Sequence, residues 1–351
     1  MKKRNLWMSM CMLIWVFISC ISTFAESSNQ IAENYQTALA YAMKVAPEHI
    51  ETVLGAKQLQ NNSCNEQIEF YIGDGYHIYY EQNGTVESNI IEFPIFQNGQ
   101  IVLTLDVECI ANEWFSNSSY DNTSLLNSVN DIYNVQLIYD VNDCPHLQNG
   151  YSGIYGQNRY LLGLFASPEH QASAQGNGFY VNNNNYKYLN MDYCLCLQKD
   201  TTGRDRGLCW AAAAATTIRY VTGNRSIEAH MIADEMGINY DTGGTISDIR
   251  TAMINHGCSV QYKSLSRPAR SITEVYHNIN NQYPIVIGTE GSLLFLSFGH
   301  AVTIVGYNGN TLIYWNSATG AIGTTIYNGT TAYIKQGGVN YQWLSSVLIP
   351  L

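Results

Sequence analysis

Charge is scarce in this chain, and positive charge is scarcest. Asp, Glu, Lys and Arg make up only 13% of the 351 residues, with 17 Lys and Arg against 28 Asp and Glu. So few cations argue against a nucleic-acid partner, which needs a basic face to neutralise phosphates. Long apolar runs are missing after the first 25 residues, so no later segment is predicted to span a membrane. The chain has no internal repeat, and it lacks paired metal clips. Cys194 and Cys196 stand as C-x-C with no second Cys/His pair nearby, so no metal is expected. What remains is 46% hydrophobic, with 26 Tyr and 28 Gly, a composition that suits a strand-rich secreted protein rather than a disordered one.

The first 25 residues read as a secretory signal. Lys2, Lys3 and Arg4 form its basic end, Leu6 to Ile21 its apolar stretch, and Thr23-Phe24-Ala25 a small-residue cleavage site. A membrane anchor is the competing reading, against which stand the interrupting Ser9 and Ser19 and the lack of a basic flank. Phe17-Ile18-Ser19 before Cys20 is a poor lipid-attachment signal. Without the signal the chain has 326 residues and a net charge of −14. Seven cysteines remain: Cys64, Cys109, Cys144, Cys194, Cys196, Cys209 and Cys258. An odd number in an exported chain predicts one free thiol, with six left to pair in an order the sequence does not give.

An α+β architecture in two domains is expected. Ser28 to Val45 has helical spacing, and Pro47 is predicted to stop it. Short strands follow at Ile68–Ile72, His77–Tyr80, Ile90–Phe93, Ile101–Leu105, Val135–Tyr139 and Tyr160–Phe165. Gly73-Asp74-Gly75, Asn83-Gly84 and Asn98-Gly99 punctuate them as turns. Residues 26–165 are thus expected to be a helix plus an antiparallel sheet. Residues 166–190, polar and rich in Gly and Asn, read as a linker. Residues 191–351 begin with four predicted helices, Cys209–Thr222, Ser226–Met236, Thr245–His256 and Ser271–Asn281, the last two opened by capping-box patterns. Strands Pro284–Gly288, His300–Tyr307, Thr311–Trp315, Ile322–Tyr327 and Tyr341–Ile349 complete an antiparallel sheet.

The chemistry concentrates in the second half. Cys209 opens an alanine-rich helix, where the helix dipole favours a thiolate. His300 follows Phe298-Gly299 and begins an apolar strand, a setting that fixes an imidazole firmly enough to act as a base. Asn316 ends the next strand, which hairpins back through Asn308-Gly309-Asn310 and returns the amide towards His300. Its oxygen is then placed to accept from the imidazole and select its tautomer. Trp210 adjoins the thiol, and Trp315 is a candidate cover for the His–Asn bond. Gln198, upstream of the thiol, is a candidate oxyanion donor beside the backbone N–H of Cys209, with a solvated loop residue as the competing reading.

Cys209-Trp210-Ala211, Gly299-His300-Ala301-Val302 and Tyr314-Trp315-Asn316-Ser317 together resemble the papain-like cysteine peptidases. The likeness is to their compact bacterial secreted branch, with its streptopain-like, staphopain-like and bacteriocin-leader-type members. It covers roughly Tyr188 to Leu351 and includes Thr242-Gly243-Gly244-Thr245 and Trp343. The resemblance implies a Cys209 nucleophile, a His300 base and an orienting Asn316. The family usually sets its oxyanion glutamine about half as far before the cysteine as Gln198 lies here, and a charged loop, Lys199 to Arg206, intervenes. A secreted endopeptidase acting on proteins or peptides without any cofactor is the expected function. An acyl transferase on the same scaffold and a non-catalytic surface-binding protein are the alternatives. Secreted members are commonly made as zymogens, so residues 26–165 are expected to be a pro-domain, able to bind the catalytic domain in cis and released by a cut between Phe165 and Tyr193. A retained binding domain is the rival reading.

Overall fold

The computed structural model describes residues 34–56, 67–81, 84–140, 144–150, 157–166, 172–175, 178–183, 185–189, 191, 193–263, 271–293 and 296–349. The predicted signal and Cys64 lie outside them. The chain divides into two compact units, residues 1–41 and 42–351. Of the first, residues 34–41 are described, and they are helical.

Helix α1 covers residues 34–56 and runs through Pro47 instead of stopping there. A proline inside a helix forfeits a backbone bond and costs ~3 kcal/mol. Burial of Val45, Ala46, Ile50, Val53 and Ala56 offsets that cost. His49, fully buried, accepts or donates at 2.7 Å to the Thr324 hydroxyl and at 3.0 Å to that of Ser116.

The next elements form the N-terminal sheet. Strands β1 (Gln67–Gly73), β2 (Tyr76–Glu81), β3 (Thr85–Gln97) and β4 (Gln100–Ile110) fall where apolar alternation predicts them. Strand β5 (Glu113–Ser119) is additional. It escapes a hydrophobic-pattern reading because its buried side chains are polar: Ser116, Asn117, Ser118 and Ser119 are all shielded between neighbouring strands. Hydrogen bonds engage several of them, among them Ser118 with Thr324 at 2.5 Å and Asn117 to Asn340 at 2.9 Å. A short helix α2 (Thr123–Leu126) and a 3-10 turn (Ile132–Asn134) then lead to β6 (Val135–Tyr139), β7 (Pro145–Asn149) and β8 (Arg159–Ala166). Pairing is antiparallel except that β6 lies parallel to β2, a departure from the expected antiparallel sheet. The intervening crossover supplies the length that a parallel neighbour needs.

The predicted linker also differs. Residues 166–190 carry β9 (Ala172–Gln175), β10 (Gly178–Asn183) and β11 (Tyr186–Leu189), and β11 pairs with a strand of the second half, Tyr186 opposite Asn308. Backbone pairing, not side-chain periodicity, orders this stretch. The halves are further joined where β5 pairs with the strand Ala321–Ile326, Ser118 opposite Thr324. Residues 42–351 are accordingly one unit built on continuous strand pairing.

The second half matches the α+β expectation closely. Helices α3 (Cys209–Thr222), α4 (Ala229–Met236), α5 (Ile246–Asn255) and α6 (Ile272–Asn280) precede the sheet. Thr245 and Asp248 close a reciprocal capping box on α5. Strands β12 (Gln261–Lys263), β13 (Ile285–Leu293), β14 (Leu296–Asn308), β15 (Thr311–Asn316), β16 (Ala321–Ile326), β17 (Tyr333–Gln336) and β18 (Val339–Leu348) follow. The order β12-β18-β13-β14-β15-β16 is antiparallel throughout, with β17 hairpinned onto β18. Alanines 211 to 215 of α3 are all buried, so this helix packs closely in a core with α4, α5, Val286, Ala301 and Val347. That core holds the first turn of α3 rigidly against the start of β14. Among the described residues no helix is long and apolar enough to cross a membrane.

Candidate active site

Cys209 is the first residue of α3, and Leu208 before it offers no side-chain cap. The N–H groups of the first turn are therefore available to the sulfur, which accepts from the backbone of Trp210 and Cys209 and from Ala301 on β14. The contact with Ala301 sets the sulfur against the backbone one residue after His300. Both residues line one cleft of about 460 Å³. Its far wall is the Thr242–Ile246 loop, and its floor is Gly288–Glu290 with Ser345. Trp210 forms part of the wall, its ring so near Gly244 that a Cβ there would lie 2.4 Å from the indole. Only glycine permits that approach.

His300 is 7% exposed, and β13 fixes its backbone through the Thr289 hydroxyl, which donates to the His300 carbonyl at 2.9 Å. Nε2 of the imidazole meets Oδ1 of Asn316 at 3.0 Å. Since an amide oxygen only accepts, Nε2 carries the hydrogen and Nδ1 is left as the base. A β-bulge makes this meeting possible. The β14–β15 ladder starts with Asn308 opposite Thr311 but slips by one residue between Ile304 and Gly306, so that Thr303 faces Trp315. One step further along that register Asn316 faces Val302, and His300, two residues away, shares its side of the sheet. Without the slip Asn316 would face Thr303, and His300 would point the other way. Gly306 flanks the bulge, and a Cβ on it would lie 2.5 Å from the Lys187 carbonyl of β11.

Electrostatics temper the expectation of a ready thiolate. Burial pushes the Cys209 thiol up from its ordinary value, outweighing the pull of the backbone N–H groups. Burial also lowers His300 to about 4, which the bond to Asn316 opposes in part. Both directions favour an uncharged thiol and imidazole at rest.

The structure brings Cys209, Trp210 and His300 to the cleft, with Asn316 behind the imidazole. Gln198 and Trp315 do not line it. The Gln198 oxygen accepts from the Ser317 hydroxyl at 3.5 Å, and its amide bonds the Asp205 carboxylate. Strand alternation sends Trp315 to the face of β15 opposite Asn316, where it is buried in the core. The ring beside His300 is Tyr341, at 6.0 Å between centroids. Gln336 escapes the sequence reading altogether. Its Oε1 accepts from Asn316 Nδ2 at 2.8 Å. Gly337-Gly338, a hairpin signal between strand-like residues, marks the element that carries it.

All six described cysteines are free thiols. The pairing left open by the sequence is thus not seen among them, and geometry rather than an odd count singles out Cys209. Burial pushes Cys196 up to about 11 and raises Cys194 and Cys258 as well.

Residues 189–345 match the model of the Peptidase_C39 like family, a domain of the papain-like cysteine peptidase superfamily. Cys209, His300, Asn316 and Gln336 all fall inside the match. No curated protein matches the chain. The family match implies a cysteine peptidase domain with a peptide as its substrate.

Proposed function

We propose that the C39-like cysteine peptidase domain over residues 189–345 is an endopeptidase working through Cys209, His300 and Asn316, in a protein that is secreted. The observation that carries this reading is the Nε2–Asn316 bond of His300 in the cleft that also holds the Cys209 sulfur.

Peptide binding in the cleft sets a carbonyl carbon against Sγ. Nδ1 of His300 takes the thiol proton as the S–C bond forms, which suits a pair that rests uncharged. The oxygen, now negative, is stabilised by N–H groups of the first turn of α3, aided by the helix dipole. The imidazolium, steadied by Asn316, protonates the leaving amine as the C–N bond breaks. Water, deprotonated by His300, then attacks the thioester and frees the acid and the thiol. Gln198, engaged with Ser317 and Asp205, has no part in this scheme.

Export rests on residues 1–25, and maturation is proposed as a cut within residues 166–190. N-terminal sequencing of the exported protein tests both: a start at Glu26 supports export, and a second start between Phe165 and Tyr193 supports maturation. A full-length, active 326-residue product counts against the cut.

The decisive test is labelling with an epoxide selective for papain-like thiols, read by peptide mass. Modification of Cys209 alone, lost in His300→Ala, supports the scheme, and peptide cleavage by Cys209→Ala would sink it. Capture of the acyl group by an added amine in preference to water would make the protein a transferase. Inertness of Cys209 in both intact and cut protein would make it a binding protein.

A further inference from the structure

An orienting amide has a weakness that a carboxylate lacks: it has a wrong way round. Turning the Asn316 side chain by half a rotation exchanges oxygen for nitrogen at almost the same positions. The imidazole N–H would then face an NH2 group, and the tautomer that leaves Nδ1 as the base would be lost. At 2% exposure water cannot correct the error. Something in the protein must tell the two ends of the amide apart.

Two neighbours do so. The Ala318 N–H, which can only donate, reaches the Asn316 oxygen at 3.1 Å. On the other side the Asn316 NH2 donates to Oε1 of Gln336 at 2.8 Å, and Gln336 is itself only 8% exposed. A reversed amide would put donor against donor at Ala318 and, with Gln336 in its present orientation, acceptor against acceptor at Gln336. Each mismatch in a buried site costs roughly 1–3 kcal/mol, enough together to exclude the reversed state.

We infer that Gln336 is a positioning residue of this active site, acting through Asn316 to keep the amide oxygen on His300. The inference rests on the triad reading above.

The strand that carries Gln336 is anchored for the purpose. Successive residues of β17 point to opposite faces. Gln336 reaches Asn316, while Lys335 reaches the other way into the N-terminal sheet, 2.5 Å from Glu92 of β3 and 2.7 Å from Asp106 of β4. All three groups are buried. Burial alone would discharge Lys335, but its acidic neighbours Asp106 and Glu92 outweigh it and hold the amine protonated. Residues 67–119 thus pin β17 from behind in the uncut chain.

The test is a double-mutant cycle read as kcat/KM on a peptide substrate. Gln336→Met keeps the length of the side chain and removes the acceptor. In the Asn316 enzyme it should lower kcat by about 10- to 100-fold with little change in KM. In an Asn316→Asp background, where a carboxylate has no wrong end, the same substitution should change kcat by less than about threefold. Equal losses in both backgrounds, or no loss in the first, would overturn the inference. Should Gln336→Met fail to fold, Gln336→Glu decides. It retains an acceptor and adds negative charge behind the imidazole, so activity within about tenfold of the parent, with the acid limb moved to higher pH, is expected. Loss of more than 100-fold, or an unmoved acid limb, would count against it. Cleavage by Cys209→Ala would instead sink the triad reading itself, which keeps the two failures apart.

Discussion

Two buried polar groups flank strand β17, and they are held by opposite means. On one side Lys335 faces Glu92 and Asp106, with the Tyr76 hydroxyl donating to Glu92. On the other, Gln336 faces Asn316, which in turn bonds His300 of the cleft. Burial penalises charge in both places. In the first, opposite charges answer each other: burial would raise Glu92, but Lys335 overcomes it and keeps the carboxylate ionised. Asp106 goes the other way, its carboxyl raised well above the usual range by burial and by Glu92 despite Lys335. One ammonium, one carboxylate and one protonated acid leave no net charge. In the second group hydrogen bonds oppose burial only in part, so thiol and imidazole rest neutral. The contrast separates a site built to stay fixed from one built to move a proton. A closed ion cluster locks geometry, whereas an uncharged pair at the mouth of a cleft retains a proton to transfer.

The sharpest break in that comparison is at His300. His300→Ala should lower kcat/KM by ~10⁴-fold or more while the ion cluster and the melting transition stay nearly intact. Next comes the cluster, whose members should respond unequally. Lys335→Met strands Glu92 without its counter-charge and should cost about 3–5 kcal/mol in denaturant unfolding. Asp106→Asn copies the protonated acid and should cost less than about 1 kcal/mol. Equal losses for the two would refute the assignment of the proton to Asp106.

Gly306→Val attacks the bulge that aligns Asn316 with His300, because its Cβ meets the Lys187 carbonyl. A loss of roughly 1–3 kcal/mol is expected. Epoxide labelling of Cys209 should slow as well, whereas a substitution at half-buried Gly309, where an added Cβ would meet no neighbour, should leave labelling unchanged.

The smallest effects concern pH. The proposed mechanism requires neutral His300, whose folded value lies at about 4. The acid limb of kcat/KM should therefore fall near pH 4, and a limb near 6.5 would mean a solvated imidazole. His49, lowered by burial to about 3, bears on stability in the same direction. Between about pH 6.5 and 3 the unfolded chain binds a proton that the folded chain refuses. Its contribution is thus complete above 6.5 and is lost as pH falls through that window. His49→Gln should flatten the corresponding slope in melting temperature.

Much of this was legible from local pattern. The helix beginning at Cys209 is found at its expected bounds, because a run of alanines with an apolar face has few other uses. Thr245 and Ser271 cap the helices they were predicted to cap. The strands missed were those whose buried side chains are polar, as in β5, or whose order comes from backbone pairing, as in β11. Pro47 misled for a related reason: a local penalty was outweighed by burial that no window of sequence contains. Trp315 was offered as a cover for the imidazole on proximity alone, but the alternation of β15 turns it away from Asn316.

The residues proposed as nucleophile, base and orienting amide can thus be picked out in the chain itself, since each role needs a particular functional group next to a helix start or a strand end. The company they keep belongs to the fold. A one-residue slip beside Gly306, an acceptor on β17 and a lysine reaching into another sheet depend on contacts between residues up to 243 positions apart. Register and burial are properties of two or more strands at once, and no single stretch of sequence carries them.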